Sequence, residues 1–339
     1  MKVRYSSRVF LYAPLLALLA LALAAGLRWY GVAGGFESWL RQHNGREIAP
    51  GVTLHFASET VGGFPFNVDV VLRDVTFQVK SARTSGRWHS DAFAIHELIF
   101  GRAQQIYEAA GTQTVSWKDA EGGAHRLAFI PGSLRASAIL SHGRLVRFDL
   151  DIDGIGSREI SGARMQLHFR KSPHRDAIDV AASADDLRLA SALQAGFGAN
   201  LRRADIEGSL APSAAFAALF EGRGAWDASL DAWRRSKGEF RLDRLELDWN
   251  GVEIRAGGRL GLDDTHRPQG TLNLDITGAV KAPVAGRAAR LAHALAELTK
   301  GTTIKPRSLS VDIVAGAVNL RATKAPQFVS GAGSLGPLY

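Results

Sequence analysis

The uncharged run from Val9 to Gly26 constrains this chain more than any other feature. Leucine and alanine dominate it. As a helix rising 1.5 Å per residue it would be about 27 Å long, close to the thickness of a hydrocarbon core. Leu27 extends the run, and Trp29–Tyr30 supply an aromatic pair of the kind that sits at a bilayer interface. Pro14 is tolerated near the start of a membrane helix. Lys2, Arg4 and Arg8 precede the run and a single Arg28 follows it. The positive-inside rule then holds the N-terminus in the cytoplasm and sends the rest across. A secretory signal has the same layout, and Ala22-Leu23-Ala24 offers small residues for cleavage. The run exceeds a signal core of roughly 7–15 residues, which favours a retained anchor. Residues 1–30 are expected to be a membrane anchor or uncleaved signal. In either reading residues 31–339 cross the inner membrane of a bacterium as a single-pass protein with its bulk in the periplasm.

Composition bounds the chain beyond the anchor. Of 339 residues, 46% are hydrophobic and 22% charged, which is globular rather than disordered. With no cysteine, disulfides, thiolate metal sites and cysteine nucleophiles are excluded. The formal charge is +8, and about half of it flanks the apolar run. The rest is interspersed with acids, and the longest basic cluster is Arg234, Arg235 and Lys237. Nucleic acid is not an expected partner, because its binders concentrate the surplus in a stripe.

Past residue 30 the dominant signal is a period of two. After the Gly34–Gly35 pair, Phe36, Trp39 and Leu40 share one face of a short helix ending near Asn44–Gly45. Val52, Leu54 and Phe56 then alternate with polar residues. Phe66, Val68, Val70 and Leu72 share one face, and Val75, Phe77 and Val79 the next. The phase slips at Arg73–Asp74, where a bulge or tight turn is expected. Gly86 to Ser90 reads as a turn, and further strands read from Ala92 to Phe100 and through residues 127–170 and 178–180. Pro212 starts a helical stretch with Phe216, Leu219 and Phe220, and Trp226, Leu230 and Trp233 continue it after Gly222 and Gly224. Leu245, Leu247 and Trp249 then alternate up to Asn250–Gly251, the strongest hairpin signal in the chain. Strands at 252–262, 272–276 and 309–320 come next, with helix at 287–299.

This pattern predicts a mainly β fold of extended, curved antiparallel sheets with a few inserted helices, behind one N-terminal transmembrane helix. The regions are 31–210, an N-terminal β region; 211–330, a C-terminal β region with helices; and 331–339, a Gly/Ser/Pro-rich tail. One-sided strands must cover their apolar face. Either a second layer covers it or a groove stays partly open to hold a lipid chain, and periodicity does not separate the two.

Chemistry-bearing motifs are sparse. The ten histidines are scattered without a His-Glu-x-x-His pair. Asp149, Asp151 and Asp153 alternate like the start of a calcium loop, but Ile160 stands where the glutamate belongs. They read as a solvated strand face. Neither a Gly-x-Ser-x-Gly elbow nor a Gly-x-Gly-x-x-Gly loop occurs; Gly196-Phe197-Gly198 and Gly222-Arg223-Gly224 are turn signals. No catalytic residue, cofactor or metal site is expected. Phe64, Pro65 and Phe66, behind Gly62–Gly63, are singled out with Trp249 as a structural or lipid-contact motif. Two aromatics about a proline anchor a loop into a core, line the mouth of a lipid site, or dip into a membrane surface.

The anchor, the Trp39 segment, Val61-Gly62-Gly63-Phe64-Pro65-Phe66 and the block from Leu245 to Gly278 together resemble the DUF2125 family of alphaproteobacterial envelope proteins. That late block also resembles repeats of AsmA-like envelope proteins, which implies an elongated β-groove and a link to outer-membrane lipid homeostasis. Where members of the first family have one glycine before Phe-Pro-Phe, this chain has two. The resemblance implies no enzyme activity. The expected function is lipid binding, lipid transfer or envelope maintenance by a tethered periplasmic protein. Its partners would be the inner-membrane bilayer, a lipid ligand and other envelope proteins. The alternatives are a non-catalytic scaffold and a hydrolase of envelope substrates.

Overall fold

The structure, a computed structural model, describes residues 7–81, 85–99, 104–118, 123–190, 198–278, 293–297, 306–323 and 328–335. Helix α1 runs unbroken from Ser7 to His43. At 1.5 Å per residue it is about 56 Å long, nearly twice a hydrocarbon core. Its two halves differ in exposure. Leu15, Leu16, Leu18, Leu19, Leu21, Leu23 and Leu27 are all exposed, as in a segment with no protein around it. From Trp29 onward a stripe at helical spacing, Trp29, Ala33, Phe36 and Leu40, packs on the sheet. The Gly34–Gly35 pair does not break the helix as the sequence suggested. Each glycine costs about 1 kcal/mol relative to alanine, and the flanking stripe offsets that by burial. Of the Trp29–Tyr30 pair only Tyr30 is exposed; Trp29 is buried against the sheet, and its indole donates to the Asn67 carbonyl at 2.7 Å.

The rest is a single antiparallel meander. The first strands are β1 (Arg46–Ala49), β2 (Val52–His55), β3 (Ser58–Gly62) and β4 (Asn67–Lys80). Both β2 and β3 pair with β4, on its second and first halves. The long hairpins are built from β5 (Ser85–Leu98), β6 (Gln104–Lys118), β7 (Ala124–Ser141), β8 (Arg144–Gly156), β9 (Ile160–Lys171), β10 (Ile178–Leu189) and β11 (Asn200–Ala211). A 3-10 turn (Ser213–Phe216), α2 (Ala217–Phe220) and α3 (Trp226–Arg235) interrupt the strands. The meander resumes through β12 (Glu239–Trp249), β13 (Val252–Leu262), β14 (Pro268–Thr277), β15 (Arg307–Val314), β16 (Ala317–Ala322) and β17 (Phe328–Ser334).

The pairings correct the expected plural, curved sheets. All 17 described strands belong to one open sheet, and no ladder curls β17 back onto β1. Alternation reports which face of a strand is apolar, but not whether successive hairpins share a sheet. Here each strand from β4 on hydrogen-bonds to the next, so the sheet continues across the helical insertion through β11 and β12. Asn250 and Gly251, with φ of 51° and 82°, make the predicted hairpin turn. At Asp74 the backbone turns left-handed (φ 51°), which moves the apolar phase of β4 to the other parity, while its register to β5 is unchanged.

Apolar positions line up across the strands. One row runs from Leu72 in β4 through Phe93, Ala109, Leu134 and Ile152, and the same register continues to Ile276 in β14. Separate covers lie on it. The α1 stripe packs over Leu54, Val68, Val70 and Leu72. Phe216, Leu230 and Trp233 pack over Ile178 and Leu262. Ala294 and Leu295, in a helical turn at 293–297, pack with Ile276, Leu309 and Leu320. Leu291, Leu298 and Phe100 lie outside the described residues, as do Gly196–Phe197 and the end of the tail.

Candidate functional site

Between the first two covers the apolar face is left bare. Over β5 to β8 this opens a cavity of about 960 Å3, at the upper end for ligand pockets, bounded on one side by Gly35, Phe36, Trp39 and Leu40 of α1. The local sequence explains the void. Bulky side chains ring it: Phe77 stacks on Trp88 with centroids 5.4 Å apart, and Phe93 stacks on Tyr107 at 5.9 Å. In the middle, β7 contributes only Ala136 and Ala138, opposite Tyr107 and Gln105 on one side and Leu150 and Phe148 on the other. Gly35 adds no side chain from the helix.

The lining is apolar apart from the Gln105 amide, the Tyr107 hydroxyl and the indole nitrogens of Trp39 and Trp88. The Tyr107 hydroxyl donates to Gln105, and the Gln105 amide donates to Glu97 at 2.9 Å. Burial, and then the nearby Glu97 charge, push the Tyr107 phenol up to about 12. Trp88 donates to Gln113 at 3.1 Å. Among the described residues the cavity therefore holds no carboxylate, histidine, lysine or arginine to move protons at neutral pH. Its chemistry is that of an apolar container.

Gln113 lies behind this wall, with no exposed surface. Register shifts occur between Ser90 and Ala92 and again between Ala109 and Gln113, which leaves carbonyls without ladder partners. The Gln113 amide donates to the carbonyls of Ala110 (3.3 Å) and Gly111 (3.2 Å) and to Ser90 Oγ (3.0 Å). Ser90 Oγ donates to the Ala92 carbonyl at 2.7 Å and the Asp91 carboxylate accepts from the Thr112 amide at 2.7 Å, so three side chains together satisfy the bulge that shapes the wall.

The residues singled out from sequence fall in two places. Gly63 has φ of +92°, and a Cβ there would lie 2.5 Å from the Asn67 carbonyl oxygen, so glycine is required. Gly62 is under no such demand: nothing lies within 4 Å of the position of its missing Cβ. Phe64 meets Trp29 edge-on at 5.4 Å, yet Phe64 and Phe66 both remain exposed. Pro65 follows a cis peptide bond between them. Trp249 is on a different part of the sheet, donating to the Gly198 carbonyl at 2.7 Å and packing beside Leu201. None of the four lines the cavity. Of the aromatics around it, Phe77, Phe93, Phe129 and Phe148 were legible as strand residues, whereas Trp88 fell in a stretch read as a turn and Tyr107 in no predicted element; their convergence depends on register across five strands.

On the polar face two of the three aspartates are engaged by bases. Asp149 accepts from His168 (2.8 Å) and Arg147 (2.7 Å). Burial opposes its ionisation, and those two bonds outweigh it, holding the carboxyl below the usual range. Hydrogen bonds from Arg164 do the same for Asp151. Among the described residues no group of three His, Asp or Glu converges as a metal site.

A family model described as an uncharacterized protein conserved in bacteria, DUF2125, matches residues 29–325. The chain belongs to the DUF2125 family. The match begins at Trp29, where α1 turns from an apolar rod with exposed leucines into the stripe that packs on the sheet, and it covers the cavity and all strands through β16. No curated protein matches this DUF2125 chain.

Proposed function

We propose that this DUF2125 protein is an envelope protein held in the bacterial inner membrane by α1, with its sheet on the periplasmic side, and that it binds the acyl chains of a lipid. One observation carries the reading: an apolar cavity of about 960 Å3 between the sheet and the helix that leaves the bilayer. A water-filled void of that lining would be costly, and an acyl chain would bury the surface at roughly 25 cal/mol per Å2. The lack of ionisable groups on the wall suits containment, so the role is lipid handling in envelope maintenance rather than lipid chemistry. The basic residues before the apolar run favour the periplasmic orientation, and the length of that run favours its retention as an anchor.

The test is lipid recovery from the full chain. Protein extracted from membranes in detergent should carry a lipid that survives washing, seen by native mass spectrometry. Ala136→Leu with Ala138→Leu fills the centre of the cavity, and this variant should lose the lipid without a fall in melting temperature. Equal lipid on both proteins would assign it to the outside of α1 and defeat the reading.

A further inference from the structure

We propose that the Phe64-Pro65-Phe66 loop and Leu98 form a second membrane contact, in which the edge of the sheet dips into the bilayer surface beside α1. The loop is fixed to the helix where the apolar run ends. Trp29 donates to the Asn67 carbonyl at 2.7 Å, and the Arg28 guanidinium donates to the Ile99 carbonyl at 3.0 Å. Ile99 in turn donates its amide to the Phe66 carbonyl at 3.1 Å. The Phe64 ring reaches back along the helix until its edge is 3.8 Å from where a Gly26 Cβ would stand. Gly26 lies two residues before Arg28, the first charge after the apolar run, so the loop is level with the end of the membrane segment.

At that level the sheet edge is apolar and open. Phe66 is 66% exposed, Phe64 58% and Leu98 57%, beside Leu27 at 74% and Tyr30 at 69%. A patch of this kind needs a partner. The bilayer fits it, because the patch is continuous with the exposed leucines of α1 and aromatic rings favour the membrane interface. Two attachments would fix the tilt of the sheet, which one helix does not. Gly35 lies nine residues past Gly26, so the helix side of the cavity begins about 14 Å above this level.

The chain has no cysteine, so single spin labels report cleanly. Full-length Phe66→Cys and Leu98→Cys proteins, labelled and placed in vesicles of phosphatidylethanolamine and phosphatidylglycerol, would be compared with Arg158→Cys at the opposite strand ends. At 66 and 98 collisions with oxygen should exceed those with a water-soluble nickel chelate, and at 158 the order should reverse. If 66 and 98 meet the chelate as often as 158 does, the loop stands in water and the proposal fails. If both reagents are excluded there, a protein contact such as a second copy covers the patch, and the proposal fails equally. Both outcomes are independent of whether the cavity holds lipid.

Discussion

Gln113 and Gly63 show what a single residue decides in this fold. Gln113 is a fully buried amide whose four contacts, with Trp88, Ser90, Ala110 and Gly111, meet only because two strands carry bulges at one place. No local pattern hints at it, since a glutamine between Thr112 and Thr114 reads as a polar strand position. Replacing it with leucine keeps the volume and leaves the Gly111 carbonyl and the Trp88 indole without this partner, and the Ala110 carbonyl with only Ser90 Oγ at 3.5 Å. Gln113→Leu should therefore cost about 1–3 kcal/mol, measured as a shifted denaturation midpoint with an unchanged slope. Of the paired glycines before Phe-Pro-Phe only Gly63, with φ of +92°, uses a backbone closed to other residues, and sequence does not tell which of the two does. Gly63→Val puts a branched side chain into a left-handed conformation and against the Asn67 carbonyl. A loss of at least about 1–3 kcal/mol is expected, and an unchanged melting temperature would show that the loop relaxes freely.

At the scale of elements, α1 is legible in its chemistry but not in its extent. The uncharged run marks the part without protein neighbours, and the Phe36–Leu40 spacing marks the packed part. The glycines between them suggest a break that the structure does not contain. Propensity loses to packing: Trp29 and Ala33 on one side of the pair and Phe36 and Leu40 on the other hold both halves to one surface. Gly34 lies exposed in that continuous helix with nothing within 4 Å of its missing Cβ. Gly34→Ala should raise stability by about 0.4–1 kcal/mol, read as a higher melting temperature in detergent. A decrease would mean that the helix bends there in solution. Strand β7 makes the complementary point. Its Ala136 and Ala138 read as ordinary small strand residues, and only the bulky neighbours on β6 and β8 turn them into the floor of a cavity.

For the molecule as a whole, period two and turn residues mark the strands, while the sheet they share depends on pairings no local pattern encodes. The division expected near residue 210 illustrates this. Ten residue pairs join β11 to β12 across it, from Ala211–Glu239 to Leu201–Trp249. They keep the apolar rows continuous, with Ala204 opposite Leu247, Ile206 opposite Leu245 and Leu210 opposite Phe240. A chain ending at Ala211 would expose the whole edge of β11, and Ile178 beside it would lose Phe216, Leu230 and Trp233. An edge that long and that apolar pairs with the nearest strand available, which in solution is another copy. The truncated protein should therefore run as dimers and larger species by sedimentation velocity, under detergent conditions in which the full chain stays monodisperse. On the polar face Arg203 keeps its bond to Asp205 at 2.5 Å, while Glu207 loses Arg244 and Arg202 loses Asp248, which leaves one charge of each sign on the edge to pair with the same strand of another copy. A monodisperse truncation with an intact β-sheet spectrum would show that β11 closes its own edge, and that the sheet is held together by its covers rather than by its ladders.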